Sequence, residues 1–399
     1  MKVNFEPRRV AKRMMLNLAM ITALAASVPS AFSQAFTAED LGMVRTPVGA
    51  INNQTGQALA VVLNRDGEVV VHGFRPNCRP ETSLPVSENA LGVAMGSSTQ
   101  VAGTNGSFRT TIGADPCAFL DDAAPIAPLP TPTTFQLFGT QPKSMNGGDV
   151  VVGSGSAMVS PSASLRDLPI RWAATAGFTP TILQTGTDIL GFPKAGAALD
   201  INDSGAVVGS VGSGSEKRAV IFRDNQDPLT LSPSTKSVSL TEATGISNSG
   251  LITGNGRFLV SAGTATVFQN RAFVRRLVWG VSAIARTELP EMWYLDNSVP
   301  QPIYTQSVAH RINNSGNAVG YIVSPLIPKT AALWDQLGNI YDIFQNTEDL
   351  NGIILSEAVD INDHGIILAF GKRSGETDLH AILLRPTGRP LAAYTGQTY

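Results

Sequence analysis

Charge is scarce in this chain: Asp, Glu, Lys and Arg supply 15% of its 399 residues, against roughly one quarter in an ordinary globular protein. Cysteine is scarcer, with only Cys78 and Cys117. No Cys-x-x-Cys spacing exists, which argues against a zinc ribbon or a dithiol redox motif. The four histidines, His72, His310, His364 and His380, have no i, i+4 partner and no His-Glu-x-x-His setting. Also missing are a Gly-x-Ser-x-Gly elbow, a P-loop and a dinucleotide fingerprint. The sequence therefore nominates no catalytic residue, no metal site and no cofactor. Beyond the N-terminal segment, no run approaches the ~18 apolar residues of a membrane-spanning helix.

That N-terminal segment reads as an export signal covering residues 1–35. Lys2, Arg8, Arg9, Lys12 and Arg13 form a basic start, and Met14 to Val28 is an apolar stretch too short for a comfortable span. Small residues offer cleavage after Ser33 or after Ala35. The surroundings of Arg8-Arg9 fit a twin-arginine signal poorly, so the general secretory route is the expectation. The absence of cysteine near the cut argues against a lipid anchor. The mature chain is expected to be secreted or periplasmic. Losing the signal takes the net charge from −2 to about −6, which disfavours nucleic acid and anionic lipid as partners.

What the chain has in quantity is glycine, 38 residues, much of it in one recurring phrase. It runs Ile201-Asn202-Asp203-Ser204-Gly205-Ala206-Val207-Val208-Gly209 and again Ile312-Asn313-Asn314-Ser315-Gly316-Asn317-Ala318-Val319-Gly320. It recurs at Ile246 to Gly254 and, with Ala369 in place of the closing Gly, from Ile361; degenerate copies start at Ile51, Met95 and Met145. Each phrase predicts a β-hairpin. Asn caps its own backbone, Asp and Ser suit the centre of a type I turn, and Gly supplies the positive φ of a following bulge. Later in each unit comes a strand with a small residue near its start and bulky apolar ones at its end. Examples are Arg218 to Phe222, Arg271 to Val274, Thr330 to Trp334 and His380 to Leu384, with weaker copies at Cys117 to Leu120, His72 to Phe74 and Leu168 to Trp172. A fourth strand is visible from Gly338 to Ile343.

The pairing of Ile-Asn-x-x-Gly-x-Val-x-Gly with a His-Ala-Phe-Leu-Trp-like strand resembles the bacterial extracellular HAF repeats. His380-Ala381 matches the start of that second element and Leu333-Trp334 its end. The likeness covers about Phe36 to Pro386 and carries no functional residues. It implies an exported, β-propeller-like protein. Seven turns, spaced 44, 50, 56, 45, 66 and 49 residues apart, suit seven four-stranded blades in a single repeat domain, residues 36–399. An irregular β-sandwich or a β-solenoid is the alternative. The stretch Phe36 to Gly42 resembles a fourth strand with no unit before it, and it would complete the last blade by pairing near Ala381.

Two segments interrupt the period. Asp121 to Lys143 is proline-rich and reads as a stiff surface loop. The longest unit contains Arg286 to Ser307, where Trp293, Tyr294 and Tyr304 form a candidate binding loop for a sugar ring or a protein. The other reading has Trp293 and Tyr294 covering the side of a blade. Cys78 and Cys117 are a candidate disulfide in an oxidising compartment, two separate buried thiols being the alternative. Asp200 and Asp360 each begin an EF-hand-like run, but Val211 and Gly371 stand where a bidentate Glu is needed, so calcium is not expected there. The functional expectation is a non-catalytic binding or structural scaffold with an envelope protein or polysaccharide as partner. The alternative is a polysaccharide-acting enzyme with its site in the propeller channel.

Overall fold

The computed structural model describes residues 35–43, 136–158, 165–173, 180–231, 237–262, 265–276, 306–323, 328–336, 339–377 and 379–392, with short strands at 58–62, 70–74, 83–88, 93–98, 106–111, 127–128 and 293–294. Apart from a 3-10 turn at Gly214–Glu216, every regular element among the described residues is a β-strand. Strand β1 (Phe36–Met43) belongs to the last sheet. Strands β2 (Ala58–Val62) and β3 (Val70–Phe74) form a hairpin. Four sheets follow in simple chain order. They are β4 (Ser83–Glu88), β5 (Val93–Ser98), β6 (Gly106–Thr111) and β7 (Ala127–Pro128); β8 (Gln136–Met145), β9 (Val151–Met158), β10 (Leu165–Trp172) and β11 (Pro180–Ile182); β12 (Gly196–Ile201), β13 (Val207–Val211), β14 (Arg218–Arg223) and β15 (Gln226–Thr230); and β16 (Ser237–Ile246), β17 (Leu251–Ala262), β18 (Ala265–Arg276) and β19 (Trp293–Tyr294). A sixth sheet holds β20 (Gln306–Ile312), β21 (Ala318–Val323), β22 (Thr330–Trp334) and β23 (Ile340–Asp342). The last has β24 (Thr347–Glu348), β25 (Ile353–Ile361), β26 (Ile367–Arg373) and β27 (His380–Pro386), with β1 lying between β24 and β27.

The repeated phrase forms the hairpin between the first two strands of a sheet. Asn202 Oδ1 accepts from the Ala206 N–H at 2.9 Å and from Ser204 Oγ at 2.7 Å, and Gly205 closes the turn at φ +82°. The same bond runs from the Asn317 N–H to Asn313 and from the Ile366 N–H to Asn362. The closing glycine has a different cause. The first strand bulges just before its Ile, at Ala198/Asp200, Ala243/Gly245, Ala309/Arg311 and Ala358/Asp360. Beside three of these bulges the first strand presses a carbonyl against the second. A Cβ on Gly209 would lie 2.0 Å from the Ala197 oxygen, and on Gly320 1.9 Å from that of Val308. In the last unit Ala369 pairs with Ala358, and the close approach falls instead at Gly371, 2.5 Å from the Ile354 oxygen.

Three expectations shift. Met95 lies inside β5, paired with Ser87, and not at the start of a turn; the sequence of that unit also offers Asn89-Ala90-Leu91-Gly92 as its turn signature. The third strand of the same sheet is β6, while Cys117 to Leu120 lies outside the described residues. The proline-rich segment is not loop throughout, because Ala127–Pro128 forms β7 and its last part belongs to β8. That strand is an edge strand paired only with β9, and Pro142 sits next to a bulge between Pro142 and Ser144. An edge strand at a bulge is where a missing N–H costs least.

Adjacent sheets share their cores. Val207 joins Val152 and Ile201 on one side of β13, while Val208 joins Leu240, Ile252 and Phe273 on the other. This two-sided packing is why β13 is buried along its whole length. Trp334 packs with Leu251 and Val274 of the preceding sheet, and Leu333 with Leu355 and Ile382 of the following one. Burying each such aliphatic side chain contributes about 1.5–3 kcal/mol.

Salt bridges latch two of these junctions at the same repeat position. Lys217, just before β14, pairs with Glu242 on β16; Lys329, just before β22, pairs with Glu357 on β25. Glu357 also faces His310 at 3.6 Å, and the Lys329 ammonium lies 4.2 Å from the centre of the Tyr321 ring. His310 first, then Lys329, hold the Glu357 carboxyl down at about 2 against the upward push of burial. A depressed carboxylate stabilises the fold above its unfolded value of 4.5 and loses that contribution as pH falls toward about 2. His310 Nε2 makes no hydrogen bond at 3.6 Å, which leaves Lys329 as the main partner, so the contribution is on the order of 1 kcal/mol. Glu357→Gln should therefore destabilise the protein at pH 7 and flatten its stability profile between pH 5 and about 2. Denaturant titrations across that range measure both effects, and an unchanged profile would refute the latch.

Candidate functional site: the gathering of the first strands

The residue just before the Ile or Met of each phrase is Ser144, Asp200, Gly245, Arg311 or Asp360 in the five sheets whose side chains are described. The bulge turns this position toward the same position in neighbouring sheets. The Arg311 guanidinium of β20 donates to the Thr244 carbonyl of β16 at 3.1 Å and to the Lys143 carbonyl of β8 at 3.3 Å. It also pairs with Asp200 of β12 at 3.2 Å and lies 3.9 Å from Asp360 of β25. One side chain thus reaches the first strands of four other sheets. Gly245 makes room for it, since a Cβ there would lie 3.3 Å from the Arg311 Cα.

Asp200 is the fully buried partner in this group. One of its oxygens accepts from Ser144 Oγ and the other from the Ile246 N–H at 2.7 Å. With Arg311 added, both oxygens are committed to neighbouring sheets. A buried carboxylate needs this degree of compensation to stay ionised. Asp200 and Asp360 stand at equivalent positions of the repeat, each one residue before its Ile. Arg311 escapes sequence reading, although it breaks the pattern of that position by charge.

The turns form a second system at one end of the strands. Asn146 Nδ2 donates to the Asn202 carbonyl, Asn202 Nδ2 to Ser247 and Asn313 Nδ2 to Asn362. One residue further on, the Gly147 N–H donates to Asp203, that of Asp203 to Asn248, that of Asn248 to Asn314 and that of Asn314 to Asp363. The Asn and Asp read from sequence as local turn formers are therefore also the bonds between one turn and the next. The spacing of the phrase carried that signal: an amide at the first turn position can cap its own turn with the oxygen and bridge outward with the nitrogen.

A third cluster holds β1 against the last hairpin. His380 Nδ1 lies 2.9 Å from Asp40, its Nε2 lies 3.1 Å from Glu376, and Arg373 donates to Asp40 at 2.7 Å. Burial pushes the Asp40 carboxyl up, but hydrogen bonds from His380 and the Gly42 N–H and the nearby charges leave it below its ordinary value. The expected pairing of the N-terminal stretch with the last unit is therefore observed, over Phe36 to Met43 against Pro386 to His380.

Of the candidate binding loop, the described residues include Trp293 and Tyr294. They pair with Val274 and Phe273 as the fourth strand of their sheet. Tyr304, Cys78 and Cys117 lie outside the described residues. Among the described residues, no group of three or more His, Cys, Asp or Glu is arranged to hold a metal, and no helix is long and apolar enough to cross a membrane. No family model matches the sequence, and no curated protein matches it either.

Proposed function

We propose that this chain is an exported, seven-bladed β-propeller of the HAF-repeat kind that works as a non-catalytic scaffold at the cell envelope or outside the cell. The observation that carries this reading is the contact of Arg311 with the first strands of four other sheets. Sheets arranged radially about an axis place their first strands within reach of one such side chain. The remaining two sheets take the places between β27 and β8. By sequence, Asn52-Asn53 and Asn89 supply the Asn of the turn phrase in the two remaining units. The partner residues around Arg311 hold sheets together, and Asp200 is fully buried with both oxygens bonded to neighbouring sheets. Recognition then falls to the strand ends and loops, including residues 286–307, with an envelope protein or a polysaccharide as the partner.

Cross-linking and recovery of the tagged protein from its own envelope and medium fractions test this. A reproducible partner lost when residues 286–307 are replaced by a short linker supports the scaffold. Recovery from the cytoplasm with the leader uncleaved, or hydrolysis of envelope polysaccharide by the purified chain, would overturn it.

A further inference from the structure

The chain contains four Asn-Gly pairs, beginning at Asn105, Asn146, Asn255 and Asn351. Such a pair can react without an enzyme. The backbone nitrogen of the glycine attacks Cγ of the asparagine amide and a new C–N bond forms. The amide nitrogen leaves as ammonia, taking up the proton that the attacking N–H gives up. Water then opens the resulting succinimide ring at either carbonyl, giving aspartate or isoaspartate. A Cβ on the second residue hinders the attack, and glycine has none. The fold decides which pairs are free to react. Asn105 lies outside the described residues.

Asn146 and Asn255 are buried and tied down. Asn146 Nδ2 donates to the Asn202 carbonyl at 3.1 Å, and its Oδ1 accepts from the Gly148 and Val150 N–H groups. The Gly147 N–H that would attack is itself committed to Asp203 at 2.7 Å. Asn255 lies within β17, where its side chain donates to Glu242 at 3.3 Å and accepts from the Ala309 N–H at 3.0 Å. Gly256 is held in the sheet between Leu240 and Arg271. Asn351 differs in each respect. It and Gly352 are exposed, at φ +49° and +81°, in the tight turn that enters β25. The Ile353 N–H closes this turn on the Leu350 carbonyl at 2.9 Å, and two positive φ values suit type I′. Among the described residues, the Asn351 side chain makes one hydrogen bond, from Nδ2 to the Asp349 carbonyl at 3.0 Å. Open space surrounds the missing Cβ of Gly352. Asn225 is a natural control, exposed and at φ +55° but followed by Gln226.

We propose that Asn351 is a site of spontaneous deamidation, converting to aspartate and isoaspartate in the folded protein while Asn146 and Asn255 are preserved. Either product places a new carboxylate close in sequence to Glu348 and Asp349. In isoaspartate the chain runs through the side-chain carbon, and the former backbone carbonyl becomes part of a free carboxylate. That carbonyl accepts from Arg373 Nε at 3.4 Å. Arg373 also holds Asp40, so the new charge competes with the clasp on β1 for its arginine. The inference depends on neither export nor a partner.

Peptide mapping by mass spectrometry tests it, on purified protein incubated in mildly alkaline buffer with and without denaturant. Electron-transfer fragmentation separates isoaspartate from aspartate. In the folded protein Asn351 should convert at least about tenfold faster than Asn146 and Asn255, whose hydrogen bonds must break first. It should also outpace Asn225, where the following side chain hinders attack. Isoaspartate should be among the products, and the rate should rise with pH because the attacking nitrogen must lose its proton. In denaturant Asn146 and Asn255 should convert as fast as Asn351, while Asn225 stays slow. Conversion of Asn351 no faster than that of Asn146 or Asn255 in the folded protein overturns the proposal. So does aspartate formed without isoaspartate, or Asn146 and Asn255 that stay slow once unfolded.

Discussion

Gly320→Ala should lower the unfolding free energy by about 3–5 kcal/mol, a large effect for one methyl group. The added Cβ would lie 1.9 Å from the Val308 oxygen and 3.0 Å from the Ala309 Cα, both backbone atoms. Nothing can yield there except the pairing of β20 with β21. Two controls separate this cause from ordinary glycine effects. Gly205 sits at φ +82° with open space around the missing Cβ, so Gly205→Ala should cost only about 1 kcal/mol through backbone strain. Ala369 holds the position aligned with Gly320 in the last sheet and is fully buried; Ala369→Gly should cost about 1 kcal/mol through lost burial and added chain entropy. Denaturant unfolding followed by tryptophan fluorescence gives all three values. Equal costs at Gly320 and Gly205 would show that the bulge does not impose the glycine.

Arg311→Met should be about as damaging, at roughly 3–5 kcal/mol, because it leaves Asp200 buried without its cation. Asp200 is inaccessible to solvent, so water cannot replace the guanidinium without opening the junction between sheets. The pair is separable by a cycle. Asp200→Asn alone should also destabilise, while the double variant Arg311→Met, Asp200→Asn should lose clearly less than the sum of the two. Strict additivity would mean that Arg311 acts only through Asp360 and the Thr244 and Lys143 carbonyls. A deficit confined to the Arg311 variants would mean that Asp200 contributes nothing at this junction.

Much of this architecture was legible before any coordinate. The hairpin phrase placed the Asn-Gly turns, the third strands of most units followed from apolar runs between turn residues, and one fourth strand showed at Gly338 to Ile343. The pairing of Phe36 to Gly42 with the last unit followed from counting strands. What escaped was long-range by nature. Asn202 caps its own turn and bridges to the next with the same side chain, and only the local half of that role shows in one repeat. The bulge before each Ile leaves no mark in residue type, yet it explains both the closing glycine and the convergence on Arg311. The register of the second unit was misplaced onto Met95 because Ala94-Met95-Gly96 imitates the apolar half of the phrase. Pro142 misled because proline argues against a central strand and says less about an edge.

The clasp between β1 and β27 joins residues more than 330 positions apart, Asp40 with Arg373 and with His380. A chain that emerges N-terminus first must therefore hold its opening strand in waiting until almost everything else has been made. Until the two ends meet, β1 and β27 each keep an unpaired edge, and either can recruit strands from other copies. The slowest step of folding should accordingly be the meeting of the two ends. A chain truncated before His380 would keep most of its sheets and still have no means of finishing.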